Sequence, residues 1–337
     1  MSVNIIESEP MPVRPRLTPA MADARRAVRE LVAELKPQQG SLLLVACSGG
    51  PDSMALAAAC AFELPRAGLK VGAVVVDHGL QENSAEVAAQ AASRCRELGL
   101  EPVIVSRVEV KVSGEGLEAA AREARYAALE SARVETSSDY VLLGHNEDDQ
   151  AETVLMGLAR GSGLRSISGM PAIDQDRRLA RPFLGLSRAT LRKSCEDQSV
   201  EFWDDPHNQD ESFLRVRVRK LAQRLEETLG TGFQSALART ADLAYEAEDY
   251  LTLEARWFLD SNDSGSGLEV EAVAKLHPAL RRKALQLYMQ KISGGSISRS
   301  QVLEAEQLVT NWHGQKKLDL SGITVERVND RLLVKAK

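Results

Sequence analysis

The chain has 337 residues, 44% hydrophobic, 27% charged and only 4% aromatic, with 42 Lys+Arg against 48 Asp+Glu and a net charge of −6. That composition excludes an intrinsically disordered chain, and the length suits two domains of roughly 100–200 residues each. No apolar run approaches the ~20 residues that cross a bilayer, and the N-terminus lacks the charged start and apolar stretch of a secretory signal, so a cytoplasmic protein with no membrane partner is expected.

Residues 1–20, with four prolines and little periodicity, read as a tail. A helical pattern runs from Met21 to Leu35. Short apolar runs follow at Leu42–Ala46, Val71–Val76, Val103–Val110 and Tyr140–Leu143. Apolar runs without polar alternation suit strands buried on both faces. The stretches between and after them predict helices over Asp52–Leu64, Ala85–Leu98, Gly116–Thr136 and Asp148–Arg160. This is the pattern of an α/β protein with an open, mostly parallel, doubly wound sheet, whose ligands bind at the carboxyl ends of its strands.

The composition changes past Leu225. Phe233 to Leu259 reads as a long acidic helix, followed by a linker-like Ser261–Gly267, helices over His277–Lys291 and Arg299–Asn311, and a small hairpin within Leu318–Val334. The expected division is a catalytic domain over 21–225 and a smaller, mainly helical domain over 226–337. Two net-basic blocks, 177–224 and 281–337, interrupt an otherwise acidic chain, as in a protein that offers a polyanion a local footprint; two solvated cationic faces explain the charge equally well. Cys47, Cys60, Cys95 and Cys195 lie at least 13 positions apart without metal-ligand spacing and read as buried thiols.

The strongest local signal is Ser48-Gly49-Gly50-Pro51-Asp52-Ser53, directly after the first strand and before a helix of small residues. Paired glycines let backbone N–H groups face one concavity, and the helix N-terminus adds positive partial charge, which suits a phosphate or pyrophosphate. Asp52 would repel phosphates unless a divalent cation lay between, so a Mg²⁺ ligand role is expected of it. The loop has neither the Gly-Lys-Ser/Thr of a Walker A motif nor the spacing of a dinucleotide fingerprint.

Asp77 and His78 end the second strand beside that loop and can hold nucleotide or metal, or simply form a strand-ending turn. Asp148, Asp149 and Glu152 cluster at the start of a helix. Asp149 and Glu152 share a face and suit an ammonium group or Mg²⁺, although the helix dipole also favours acids there. His145, just before them, can contact phosphate or move a proton. Arg122 and Arg125 share a helix face and can grip a phosphate or carboxylate, or pair with Glu118 or Glu123. In Phe213–Lys220, apolar residues alternate with Arg215, Arg217 and Arg219; as a strand this would put the cations on one side, as a helix it would wrap them around.

The Ser-Gly-Gly-x-Asp-Ser loop resembles that of the N-type ATP pyrophosphatases, whose fold is that of the adenine nucleotide α-hydrolases. The resemblance extends through Asp77-His78-Gly79-Leu80, Glu115-Gly116-Leu117-Glu118 to Arg122-Glu123-Ala124-Arg125-Tyr126, Gly144-His145-Asn146-Glu147-Asp148-Asp149-Gln150, Arg160-Gly161-Ser162-Gly163-Leu164, Arg181-Pro182-Phe183-Leu184 and Asp205-Pro206-His207-Asn208. Together these are similar to the tRNA(Ile)-lysidine synthetases over about residues 40–220, and His277-Pro278 to Arg282 with the terminal hairpin is similar to that family's first C-terminal domain.

The resemblance implies a two-step reaction using ATP and Mg²⁺. The wobble cytidine of a CAU-anticodon isoleucine tRNA is adenylated at its C2 oxygen with release of pyrophosphate, and free L-lysine then displaces AMP to give lysidine. It implies ATP at Ser48–Ser53 with Asp77 and His78, metal at Asp52 and Asp148, and lysine at Asp149 and Glu152 with Arg122 or Arg125 contributing. His145 would sit near the reacting centre. Arg215, Arg217 and Arg219 would meet tRNA, one of them, Arg215, assisting catalysis. Val216 stands where the family typically has Asn, and Asn146 where it frequently has a second histidine. The C-terminal domain would bind tRNA; the oligomeric state is open, a homodimer being one arrangement allowed. A thiolase would need reactive cysteines with suitable spacing. A non-catalytic tRNA-binding module would have no use for clustered carboxylates and would release no pyrophosphate.

Overall fold

A computed structural model of the chain describes residues 16–79, 83–110, 117–161, 163–205, 210–263, 265–320 and 322–337. Most of the expected tail, and Leu80, Glu115, Gly116, Ser162 and Pro206-His207-Asn208 from the motifs, lie outside the described residues. The chain forms two compact units, one of Met1–Met156 with Met170–Arg239 and one of Gly157–Gly169 with Thr240–Lys337.

The first unit begins with α1 (Pro19–Leu35), whose start is marked by Thr18 accepting from Met21 N and by proline in the first turn. Then come β1 (Leu42–Ala46), α2 (Pro51–Glu63), β2 (Lys70–Asp77), α3 (Ser84–Glu97), β3 (Val103–Arg107), α4 (Leu117–Glu135), β4 (Tyr140–Leu143) and α5 (Glu147–Arg160). These lie within about two residues of the sequence reading, except that β3 stops three residues early. It is an edge strand, and the last register pair with its only neighbour is Asp77 with Arg107, where β2 ends. Four elements between α5 and residue 198 have no counterpart in the sequence reading: α6 (Leu164–Ile167), which falls in the second unit, and β5 (Ile173–Asp174), β6 (Leu179–Ala180) and α7 (Arg188–Asp197) of the first. Strands of two residues carry no readable period. Phe213–Lys220, open between strand and helix, opens α8 (Leu214–Leu229), which is followed by α9 (Phe233–Asn262).

The sheet order is β3-β2-β1-β4-β6-β5, with only β5 antiparallel to its neighbour. Alternate residues of the strands enter two separate cores. Leu43, Val45, Val71, Ala73 and Val75 pack with α1, α2, α3 and α7 residues such as Val28, Leu56, Ala91 and Leu191, whereas Leu44, Val74, Val141 and Leu143 pack with Leu129 and Ala132 of α4. Burial on both faces is why these strands read as unbroken apolar runs. The chain leaves β1 toward β2 and β3, then returns to β4 on the other side of β1. This reversal opens a crevice at the carboxyl ends of β1 and β4.

The second unit continues from α9 into β7 (Leu268–Glu269), α10 (Val270–Lys275), α11 (Pro278–Ser293), α12 (Arg299–Thr310), β8 (Leu318–Leu320), β9 (Ile323–Val328) and β10 (Arg331–Ala336). The expected hairpin is therefore part of a four-stranded antiparallel sheet, ordered β7-β10-β9-β8. Part of the expected linker turns tightly into β7: Gly267 has φ +92°, and a Cβ there would lie 2.7 Å from the Leu332 carbonyl oxygen. The core includes Leu268, Val273, Leu285, Met289, Leu308, Ile323 and Leu332. No described helix is long and apolar enough to cross a membrane.

Buried Glu306 on α12 ties this unit together, accepting Nε of Arg281 at 2.8 Å and Nε of Arg282 at 2.7 Å, both from α11. Burial alone would raise its pKa, but the two guanidiniums outweigh that and hold it below the ordinary glutamate value. A carboxyl with a depressed folded pKa contributes stability that is complete above its unfolded pKa and fades as pH falls through the folded value. We expect Glu306→Gln to destabilise by about 2 kcal/mol, less than a fully buried triad because Arg282 is part exposed. The loss, measured as a denaturation midpoint at neutral pH, should shrink steadily below pH 4.

Candidate functional site

The crevice at the β1/β4 switch point is a cleft of about 530 Å³ lined by Ser48, Asp52 and Ser53 from the glycine loop, Asp77 and His78 after β2, Arg125 on α4, and His145 and Asp149 after β4. Its size is in the range of small-ligand sites. Gly49 takes φ +83°, and its carbonyl accepts from Trp203 N at 2.8 Å, which pins the loop. Ser53 Oγ accepts from Ser48 N at 3.1 Å and donates to the Gly50 carbonyl at 3.0 Å, folding the loop over the first turn of α2. Pro51 is in that first turn and Gly50 caps it with no side chain, so the helix N-terminus stays open toward the cleft.

Gly144 brings the second loop against the first. A Cβ at this position would lie 3.0 Å from the Asp52 carbonyl oxygen and 3.2 Å from Ser53 N, so only glycine permits the approach without displacement. Two residues on, fully buried Asn146 starts α5. Its N–H donates to Asp149 Oδ2 at 3.1 Å while its side-chain oxygen accepts from Asp149 N at 3.0 Å, a reciprocal cap. Its Nδ2 donates to Asp52 Oδ2 at 3.0 Å, tying α2 to α5. The amide in place of the family's frequent histidine thus has a structural task.

Four carboxylates, Asp52, Asp148, Asp149 and Glu152, meet here, and Arg188 joins them. Its guanidinium lies 2.9 Å from Asp149 Oδ1, 3.6 Å from Asp52 Oδ2 and 3.8 Å from Glu152 Oε1, and its backbone N–H donates to Asp148 Oδ2 at 2.8 Å. Arg219 Nε lies 2.7 Å from Glu152 Oε1. Among the described residues, Asp52 Oδ1 and Glu152 Oε2 remain buried without a partner. Burial pushes the Asp52 carboxyl up to about 6; Arg188 opposes that rise, and Asp149 and Asp148 add to it. Burial likewise raises Glu152 against the pull of Arg219.

A cationic pole faces His145. Burial, followed by the charges of Arg181, Arg125, Arg122 and Arg215, holds the pKa of that imidazole well below the ordinary value, so it is neutral at pH 7 and a weak base. Arg122 donates to the Tyr126 hydroxyl at 3.1 Å, and Arg122, Arg125 and Arg177 surround the Tyr126 ring at 5.0, 5.4 and 5.8 Å. Neither Arg122 nor Arg125 forms an ion pair among the described side chains, which include Glu123 but not Glu118. Arginines left without carboxylates are free to take an anion.

The sequence-selected residues therefore fall into groups. Ser48, Asp52, Ser53, Arg125, His145 and Asp149 line the switch-point cleft, Asp148 and Glu152 join its carboxylates through Arg188, and Arg122 and Arg215 act on His145 by their charge, Arg122 itself lining a second cleft with Tyr126 and Arg177. Asp77 lines the cleft, but its carboxylate accepts from Gly79 N at 2.9 Å and from the Ser84 hydroxyl, closing the strand-ending turn; these bonds outweigh burial and lower its pKa. His78, half-buried, has its pKa lowered by burial and by Arg125. Because Phe213–Lys220 is helical, Arg215 and Arg219 share a face toward the site. Arg217 is turned away, exposed, donating to the carbonyls of Glu211 and Ser212 at 2.6 and 2.9 Å. Arg219 is engaged with Glu152 rather than presented to a phosphate. Arg188 was missed. A usable signal was a cation at the first position of a helix capped by Ser187, where the dipole disfavours it unless carboxylates face it.

A Mg²⁺ ion fits the donor set in a limited way. Asp52 lines the cleft and its Oδ1 is buried and unpartnered among the described residues, and Mg²⁺ at phosphate sites commonly takes one or two carboxylates and substrate oxygens. Among the described residues no group of three or more His, Cys, Asp or Glu is arranged to hold a metal by itself.

Comparison with known proteins agrees with this geometry. A family model described as a PP-loop domain matches residues 22–225, and one described as the TilS substrate binding domain matches 268–333. The chain is 52% identical to the tRNA(Ile)-lysidine synthase of Leifsonia xyli subsp. xyli, covering 87% of this chain and 89% of that protein. It is 47% identical to that of Streptomyces coelicolor over 87% and 85% of the two chains, and 44% identical to that of Thermobifida fusca over 94% and 97%. A solved U34-tRNA thiolase, NcsA from Methanococcus maripaludis with its [4Fe-4S] cluster, shares the fold with a TM-score of 0.56 at 18% identity, covering 67% of this chain and 80% of that one. With a matched PP-loop domain, a matched substrate-binding domain and near-full-length relatives above 40% identity, the chain belongs to the tRNA(Ile)-lysidine synthase family.

Proposed function

We propose that the chain joins free L-lysine to C2 of the wobble cytidine of a CAU-anticodon isoleucine tRNA, using ATP and releasing pyrophosphate and AMP. The observation that carries this reading is the junction at one switch point of three parts: an open phosphate-type loop, a carboxylate pole with two unpartnered oxygens, and an arginine pole around a neutral histidine. Each part suits one demand of the reaction.

The glycine loop and the α2 N-terminus hold the ATP phosphates. Asp52, with Asp148 close by, would hold Mg²⁺, which supplies charge neutralisation for pyrophosphate departure. The arginine pole grips anionic groups of the adenylated tRNA or the lysine carboxylate. Glu152, with one oxygen fixed by Arg219 and the other unpartnered, accepts an ammonium group of lysine beside Asp149. His145, neutral and buried beside the reacting centre, offers it a hydrogen bond, while Glu152, whose pKa burial raises, takes the proton that the attacking amine gives up. We assign catalysis to residues 21–225 and tRNA binding to 226–337, with the basic block of 281–337 meeting RNA phosphates. The setting that supplies all three substrates is the cytoplasm.

A sulfur-transfer reaction is the alternative the shared fold raises. Cys47 lines the cleft and is hydrogen-bonded to Cys95, but all four cysteines are buried and no described group of three or more Cys, His, Asp or Glu is arranged to hold a metal, which speaks against sulfur transfer.

The deciding experiment incubates the protein with tRNA transcript, ATP, Mg²⁺ and labelled lysine and analyses the nucleosides. Label in lysidine is expected; no label in any nucleoside, with intact protein, refutes the reading. Two variants separate the steps. Asp52→Asn, which keeps shape and removes the charge, should lower pyrophosphate release by about 100-fold or more, the scale of losing one charged group at the reacting centre. Glu152→Gln should leave pyrophosphate release within about twofold while raising the KM for lysine about tenfold, as when a charged partner of the bound substrate is removed.

A further inference from the structure

We propose that Arg188 is a positioning residue that sets which carboxylate oxygens of the site remain available, and so serves both half-reactions. The inference rests on the functional reading above. Among the described residues Arg188 is the one that touches all four carboxylates: Asp52, Asp149 and Glu152 through its guanidinium, and Asp148 through its backbone N–H.

The helix that carries it is fixed independently of them. Ser187 caps α7 by accepting from Thr190 N at 3.2 Å, and Leu191, Ser194 and Cys195 bury the helix, Leu191 and Cys195 in the core shared with α1 and α2. A cation in the first turn of a helix is disfavoured by the dipole, so the carboxylates hold the guanidinium there as much as it holds them. The Arg188 fork, unlike a point charge, reaches several oxygens at fixed angles.

The consequence is a selection of atoms. On Asp52, Oδ2 faces Arg188 and accepts from Asn146, while Oδ1 is left unpartnered beside the glycine loop. On Glu152, Oε1 takes Arg219 and lies near Arg188, while Oε2 is left unpartnered. Asp149 is used on both sides, by Arg188 and by the α5 cap. One buried oxygen thus remains for the adenylation end and one for the lysine end. Removing the guanidinium would put four acids opposite Arg219 alone. Their repulsion and rotation would misplace both oxygens at once.

The test uses the full chain as Arg188→Ala and Arg188→Lys, with melting temperature, tRNA-dependent pyrophosphate release, and lysidine formation against lysine concentration as readouts. In Arg188→Ala, pyrophosphate release should fall and the KM for lysine should rise, each by about tenfold or more. Millimolar guanidinium should restore part of both, and methylammonium, which lacks the fork, should restore less. In Arg188→Lys, which keeps the charge, the lysine KM should still be raised. Wild-type rates and KM in either folded variant overturn the proposal, as does a loss that tracks a lower melting temperature and does not respond to guanidinium. If Arg188→Ala does not fold, Arg188→Lys decides through its KM. A wild-type protein that makes no lysidine refutes the functional reading instead, so the two failures are distinguishable.

Discussion

Carboxylates brought together out of water repel one another and lose hydration, so they persist as anions only where cations or N–H donors replace the solvent. Four of them meet at the carboxyl ends of β1 and β4. Arg188, Arg219 and the Asn146 amide supply that replacement incompletely, leaving one oxygen of Asp52 and one of Glu152 bare. The incompleteness is the useful feature. A fully satisfied cluster would have no reason to bind an added cation, and an uncompensated one would protonate or splay apart. The raised Asp52 and Glu152 carboxyls show that the compensation is partial.

The opposite pole follows the same physics with the sign reversed. Burial first, and then the charges of Arg181, Arg125, Arg122 and Arg215, keep the His145 imidazole neutral. A positive and a negative pole therefore abut along a single sheet edge. That adjacency depends on backbone geometry: the reversal of strand order beside β1 and the missing side chain of Gly144 let the two loops touch. A site that must handle phosphates, an ammonium group and a departing pyrophosphate within one cleft needs both poles close and separately held.

Much of this was legible locally. Strands buried on both faces announce themselves as apolar runs, and β1 and β4 have the boundaries read from them. The glycine loop, the acidic start of α5 and the Arg122–Arg125 pair were recognisable because each is a short-range pattern. Elements without a period were not: β5 and β6 have two residues each, and α7 follows them without a strong apolar stripe of its own. Phe213–Lys220 shows the limit from another side. Its alternation fits a strand, yet helical winding places Arg215 and Arg219 together and sends Arg217 elsewhere.

The chain by itself determined the types of group present, the helix or strand faces that carry them and, through motif resemblance, the reaction they serve. Tertiary structure alone decided which atoms are taken and which are left. The partners of Asp149, Glu152 and Asp52 come from 39, 67 and 94 positions away. Spacing along a helix specifies a face, but a counter-charge from a distant element is set only when the sheet order brings that element to the same edge.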